Sequence, residues 1–301
     1  MKAATSAQIS KRPSVVLSKK PSVESSRMKP SDLFTYNNLT ILNQISSGLS
    51  ADIFIAKTKL GEKLVVKIFK NETDHYYKNE LNFISQKISS PNIVKFCSFG
   101  QIKEPQDKYY NHHYLIMEYS QKGDLFTMLE KQKKISESIV KKIMLQVLSG
   151  LEALHSKGFI HRDIKPENIL VFNNEYKLTD FGFCEEIKKC SGSRNGTHGY
   201  IPPEILEKKK FIPENIDSFG FGVTAFTMIT GEFPFDNPTI NDLNYSFIIN
   251  NDWNGYWRSV GNPLLSNEFK KLFQSLVCYD TNKRLKIKQI RNSEWFQNSK
   301  L

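Results

Sequence analysis

The spacing of apolar residues changes near Gly123, and that change constrains the fold more than any other feature of the chain. Before it, apolar residues come in short runs, Thr40–Ile45, Ile53–Ala56, Lys63–Phe69 and Tyr114–Tyr119, bounded by Gly, Asn and polar residues. Runs of this length read as strands. One helix is expected among them, around Asp74–Gln86. After Gly123, Ile139, Val140, Ile143, Met144, Val147, Leu148, Leu151 and Leu154 recur at three- and four-residue spacing. That pattern predicts a long amphipathic helix from about Ser136 to His155. A second apolar helix is expected near Asp217–Thr230, ending at Gly231. Strands first and helices later imply an α+β chain in two lobes, the smaller sheet-rich and the larger helical, with a cleft between them.

A chain of 301 residues can bury a core without a disulfide or metal staple. Its 39% hydrophobic content excludes a largely disordered chain. No run approaches the ~18 consecutive apolar residues of a membrane-spanning helix. The first residues lack the apolar core of a signal peptide. A soluble intracellular protein is therefore expected, cytoplasmic, with nuclear entry left open. The formal charge of +11 raises nucleic acid as a partner, but position matters more than the total. Residues 1–31 carry +6 and read as a disordered, basic, Ser-rich tail, which leaves an unremarkable +5 for the rest. With no helix-turn-helix, zinc-finger or RNP-type signature, no nucleic-acid partner is expected. Cys97, Cys184, Cys190 and Cys278 form no C-x-x-C pair and are expected as buried or free thiols. His112 and His113 lack a third metal ligand and are expected in a surface loop.

The densest chemistry lies just beyond the long helix. H-R-D-I-K-P-E-N spans His161 to Asn168, and D-F-G follows at Asp180–Gly182. Asp163 could accept a proton from an attacking hydroxyl, and Asn168 and Asp180 offer the hard oxygen ligands that Mg²⁺ prefers. Lys165 offers positive charge for a transferring phosphoryl group.

This run resembles the catalytic loop and metal-binding motif of eukaryotic protein kinases of the Ser/Thr type, and the resemblance extends from about Leu39 to Phe296. It implies a bilobal protein-kinase-like fold. The N-lobe, 39–119, would be a small antiparallel sheet with one main helix, and the C-lobe, 120–296, larger and helical. It implies ATP and Mg²⁺ as cofactors, with Asp163 and Lys165 catalytic and Asn168 and Asp180 holding the metal. Lys67, in L-V-V-K-I-F, would hold the α- and β-phosphates with Glu80 as its ion-pair partner. L-I-M-E-Y-S resembles the hinge, with Met117 as gatekeeper and the backbone of Glu118 and Ser120 meeting the adenine. Ile45, Ile53, Val65 and Leu170 would surround the base, and Asp124 would reach the ribose. Glu204 is expected to pair with Arg284, and Asp217 to brace the catalytic loop. Ile84, Phe96, Phe181 and His161 would form one stack through both lobes.

The chain departs from the family pattern in its glycine-rich loop, which reads I-S-S-G-L-S-A-D-I from Ile45 to Ile53. Only Gly48 remains, with Ser46 and Ala51 at the other two glycine positions. Glycine lets backbone approach phosphates closely, so weakened but present ATP binding is expected. The alternative is a pseudokinase scaffold that binds nucleotide weakly, because of this loop, and transfers nothing. The resemblance also implies protein substrates. Asp124 and Glu167 stand where acidic residues in some kinases select upstream Arg or Lys, and equally where a ribose contact and a surface acid would stand. Ser193, with Ser191 second, is the expected phosphorylation site, with Lys188 or Lys189 helping to receive the phosphate. In the tail, K-R-P-S-V and K-K-P-S-V place two basic residues upstream of Ser14 and Ser22. The tail is either inert or the enzyme's own substrate. A monomer is expected.

Overall fold

The structure, a computed structural model, describes residues 35–36, 39–70, 74–103, 107–261 and 263–298. The tail expected at 1–31, with Ser14 and Ser22, lies outside the described residues.

The N-lobe is one antiparallel sheet. Its strands are β1 (Thr35–Tyr36), β2 (Leu39–Ser47), β3 (Ala51–Thr58), β4 (Lys63–Phe69), β5 (Phe96–Gln101) and β6 (His113–Glu118), ordered β1-β2-β3-β4-β6-β5. Helix α1 (Asp74–Ser85) connects β4 to β5. Register sorts the side chains, because alternate residues of a strand point to opposite faces. Ile53 opposes Lys67 and Val65 opposes Met117, so these four share the face turned to the cleft. Phe54, Val66 and Ile116 take the other face, where Leu39, Ile41 and Ile68 join them. Ile102 and Tyr109, from the β5–β6 connection, complete that outer cluster. The outer face is buried and the cleft face half-buried, and each fully buried Val, Leu, Ile or Phe contributes about 1.5–3 kcal/mol.

The C-lobe begins with α2 (Leu125–Gln132) and α3 (Glu137–Ser156). Strands β7 (Phe159–Ile160), β8 (Ile169–Val171), β9 (Tyr176–Leu178) and β10 (Glu185–Glu186) form two small ribbons, β7 with β10 and β8 with β9. Helices α4 (Pro203–Leu206), α5 (Glu214–Thr230), α6 (Leu243–Ile249), α7 (Trp253–Ser259), α8 (Asn267–Val277), α9 (Ile287–Ile290) and α10 (Glu294–Gln297) follow. On α3 the buried side is Val140, Ile143, Met144, Val147, Leu148, Leu151 and Leu154, as the periodicity predicts. Ile139 differs: it is 42% exposed, on the helix's first turn and off that face. Every residue of α5 from Asn215 to Ile229 is buried, which is why its apolar pattern shows no single stripe. Gly231 ends it with φ 79°, and an added Cβ would stand 2.4 Å from Lys133 O.

Two further expectations resolve here. All four cysteines are free, and only Cys184 is buried. His113 is not in a loop: it opens β6, half-buried, and its ring stacks on Tyr77 at 4.2 Å. Among the described residues, no helix is long and apolar enough to cross a membrane.

Candidate functional site

The site is assembled from both lobes. Lys67 on β4 and Glu80 on α1 are buried and bonded to each other, and the Lys67 ammonium also reaches Asp180 Oδ1 at 2.9 Å. Burial alone would lower the Lys67 pKa, but the Asp180 and Glu80 carboxylates outweigh it and raise it. Burial would likewise raise the Asp180 carboxyl; Lys67 overrides it and holds the group well below the usual carboxylate range. Glu80, the most deeply buried of the three, is pushed up to about 7 by burial against the pull of Lys67.

Asp180 is positioned by the residue after it. Phe181 is fully buried and stacks on Phe83 of α1 at 3.9 Å, with Phe96 at 6.0 Å and His161 at 4.9 Å. Phe83 is a member the sequence reading missed; Ile84 packs half-buried against the same core. Both occupy one turn of α1, and spacing alone does not separate them. Asn79 Nδ2 also donates to Gly182 O at 2.8 Å, so α1 grips this segment at two points.

The residues of the 161–168 loop converge on Asp163, which is 2% exposed. Its Oδ1 accepts from the Thr197 N–H at 2.9 Å. Its Oδ2 accepts from Asn168 Nδ2 at 2.8 Å and lies 2.9 Å from Lys165 Nζ. Lys165 also donates to Thr197 Oγ1, joining the loop to the segment that follows it. Burial opposes the charge on Lys165, yet Asp163 and Glu167 raise its pKa. From beneath, Asp217 on α5 accepts the N–H groups of His161 at 2.9 Å and Arg162 at 2.7 Å, and pairs with His155 Nε2 at 2.7 Å. Arg284 clasps Glu204 with both terminal nitrogens, at 2.6 and 3.1 Å.

Ile53, Val65 and Leu170 are half-buried in the cleft region, with Met117 buried among them, while Ile45 is 47% exposed. A bridge between Asp124 and Leu170 draws the segment after the hinge onto β8. Ser120 Oγ lies 2.9 Å from Gly123 O and 2.5 Å from Val171 O, and Glu118 pairs with Lys177 at 3.1 Å. Asp124 Oδ1 caps α2 through the Thr127 N–H at 2.8 Å.

Gly48 stands at the tip of the β2–β3 hairpin, its N–H donating to Ala51 O at 2.9 Å. Behind the tip, Asp52 accepts from Ser47 Oγ at 2.6 Å and Tyr109 Oη at 2.9 Å. Lys70 Nζ donates to Gly48 O at 2.6 Å. Sequence reading missed this network, since Tyr109 lies 57 residues from Asp52 and no motif links them.

A sequence profile of the protein kinase domain matches residues 39–296. The chain belongs to the protein kinase family. Among kinases it is 34% identical over 256 residues to Developmentally-regulated protein kinase 1 of Dictyostelium discoideum, covering 81% of this chain and 32% of that one. It is 30% identical to the Aurora kinase of Yarrowia lipolytica, covering 80% and 61%. It is 28% identical over 300 residues to Serine/threonine-protein kinase SBK1 of Danio rerio, covering 91% and 75%. The chain thus spans about a third of the first of these kinases and three-fifths of the second. The fold agrees with the family: an antiparallel sheet lobe with one main helix, and a helical lobe.

Kinases as a family use ATP and Mg²⁺, and the donors present here fit that cation. Asn168 spends its Nδ2 on Asp163, which leaves its amide oxygen as a donor, and Asp180 adds carboxylate oxygen. No cluster of three or more His, Cys, Asp or Glu suited to a metal occurs among the described residues. Two oxygen donors suit Mg²⁺, which takes its remaining ligands from water and phosphate.

Proposed function

We propose that this chain is a protein serine/threonine kinase, transferring the γ-phosphoryl group of ATP to Ser and Thr hydroxyls. The transfer leaves little covalent work to the protein, so positioning and charge neutralisation carry the rate. Asn168 and Asp180 hold Mg²⁺, which when bound neutralises charge on the phosphates. Lys67 holds the α- and β-phosphates, kept charged by Glu80 and Asp180 on either side. Asp163 accepts the proton of the substrate hydroxyl, and Lys165 beside it stabilises the phosphoryl oxygens. The backbone of Glu118 and Ser120 meets the adenine, with Ile45, Ile53, Val65 and Leu170 around it and Asp124 toward the ribose. The observation that carries the reading is the double engagement of Lys67, bonded at once to α1 and to Asp180. The name of the zebrafish relative supports serine/threonine specificity.

A second reading, a pseudokinase scaffold, draws on the hairpin, where the Gly48 N–H is committed to Ala51 O. One experiment separates the two. The full chain is incubated with labelled MgATP and a generic basic peptide, beside Asp163→Asn. Transfer that falls about 10²-fold or more in the variant supports the kinase. Transfer that persists unchanged marks a contaminant. No transfer, with weak MgATP binding retained, leaves the scaffold. A peptide library scored for basic residues two or three positions upstream tests the proposed roles of Asp124 and Glu167 in substrate choice.

A further inference from the structure

Arg162 brings a buried positive charge to the edge of the site, and the chain supplies its own counter-charge. Its side chain is 1% exposed, and its Nη1 lies 2.5 Å from Glu185 Oε1. Its Nη2 donates to Ser193 O at 2.5 Å and to Ser193 Oγ at 3.3 Å. Glu185 reaches this position because β10 pairs with β7, which sets Glu185 opposite Ile160, two residues before Arg162. Its carboxylate gathers the segment beyond. Oε2 accepts the Ser191 N–H at 3.1 Å and Oε1 the Ser191 hydroxyl at 3.4 Å. Gly192 makes the turn between the serines with φ 64°, and the Phe211 ring occupies the space a Cβ would need, 2.4 Å away. Four residues on, Gly196 closes against Arg162 O, and the Thr197 N–H donates to Asp163.

We propose that Glu185 is a positioning residue: its carboxylate is the permanent counter-ion of Arg162, holding residues 185–197 on the catalytic loop with no phosphate on Ser191 or Ser193. The inference rests on the kinase reading of this site. A buried arginine without a partner leaves the segment loose until an added phosphate meets the charge. Here the charge is already met. The guanidinium is neutralised rather than saturated, since Nη1 meets the carboxylate off the hydrogen-bond axis and Nε has no hydrogen-bond partner among the described residues. A phosphate on Ser193 would set about −1.5 to −2 charge beside the Glu185 carboxylate, competing with it for one arginine. Lys189, a candidate to receive that phosphate, pairs instead with Glu186 at 2.8 Å on the surface.

The full chain, treated with phosphatase until its intact mass shows no phosphate, is assayed with MgATP and a basic peptide beside Ser193→Ala and Glu185→Gln. Wild type and Ser193→Ala should share one kcat. Glu185→Gln should lose about ten-fold in kcat with its KM for ATP within about two-fold, because the nucleotide contacts are untouched. Glu185→Asp, which keeps the charge, should recover most of that loss. Amide hydrogen exchange over 185–197 without nucleotide reads the same effect independently of activity: slow in unphosphorylated wild type, about ten-fold faster in Glu185→Gln. A wild type that stays inactive until Ser191 or Ser193 is phosphorylated overturns the proposal. So does a Glu185→Gln protein equal to wild type in exchange. If no form transfers phosphate, the kinase reading falls, and exchange alone decides the role of Glu185.

Discussion

The 161–168 loop and the β2–β3 hairpin face the same cleft but are held in opposite ways. Asp163 is 2% exposed and receives partners from Thr197, Lys165 and Asn168. The loop's backbone is bolted to α5 through Asp217. The hairpin tip lies in solvent, with Leu49 94% exposed, and is held from behind by Asp52, Tyr109 and Lys70. The difference teaches where side-chain identity is fixed. A buried group with several partners tolerates no substitute, because each lost partner leaves a desolvated polar atom. A hairpin tip that presents backbone can change its side chains and be braced from elsewhere.

The largest effect should come from the buried half of this contrast. Arg284→Ala leaves the Glu204 carboxylate of α4 4% exposed and unmatched. Breaking a buried pair from one side costs about 3–5 kcal/mol. A fall of roughly 10 °C in the thermal midpoint is expected. A fall below about 3 °C would show that the C-lobe frame is not built on this pair.

Asp217→Asn should follow, at about 1.5–3 kcal/mol. The carboxylate accepts two backbone N–H groups and pairs with His155, and an amide has one oxygen to offer them. Burial alone would raise the Asp217 pKa, but the His155 hydrogen bond and charge lower it below the ordinary value. A depressed folded-state pKa contributes stability above the unfolded value, about 3.9. That contribution is lost as pH falls through the folded value. The gap between wild type and variant, measured by denaturant unfolding, should therefore be full above pH 5 and narrow below about pH 4. A gap that does not change with pH would remove the charge from the explanation.

Much of the buried half was legible in the sequence, and for the same physical reason. H-R-D-I-K-P-E-N and D-F-G can be read because each side chain has several partners, and the partners, Asp217 and Thr197 among them, lie at family spacing. Strands β2, β3, β4 and β6 followed from short apolar runs, α3 from its periodicity and α5 from its apolar content. What could not be read depends on contact between distant residues. Phe83 and Ile84 are adjacent apolar positions on α1, and only the docked helix shows which side chain meets Phe181. Strand β5, F-C-S-F-G-Q, gave no signal: it lies at a sheet edge with no residue fully buried. Glu185 has no local signature either; the pairing of β10 with β7 is what sets it on Arg162. Tyr109 sat in a polar stretch whose packing on Phe54 and bond to Asp52 have no local signature.

Tyr109→Phe tests the exposed half. It removes one hydroxyl and leaves the ring edge-on to Phe54, where the centroids are 5.8 Å apart. Asp52 keeps Ser47 as a partner, so the stability loss should be about 1 kcal/mol. If the network braces the hairpin for nucleotide, the KM for ATP should rise about three-fold while kcat at saturating ATP stays level. A kcat that falls with KM unchanged would place Tyr109 in general lobe packing instead.

Gly48→Ala should have the smallest effect. The backbone there does not occupy the left-handed region, and an added Cβ would meet nothing nearer than Ala51 O at 3.7 Å. The hairpin thus has room for a side chain, and alanine reduces the freedom of the unfolded chain. The thermal midpoint should stay level or rise slightly, a gain of up to about 0.5–1 kcal/mol. Nucleotide affinity is the sharper measurement, because a Cβ at the tip can only matter where a phosphate comes close to the backbone. Unchanged stability with a several-fold loss of ATP affinity would show that Gly48 is kept for the nucleotide, not for the fold. Unchanged affinity would mean that the brace behind the tip, through Asp52, Tyr109 and Lys70, has taken over what the missing glycines supply elsewhere in the family.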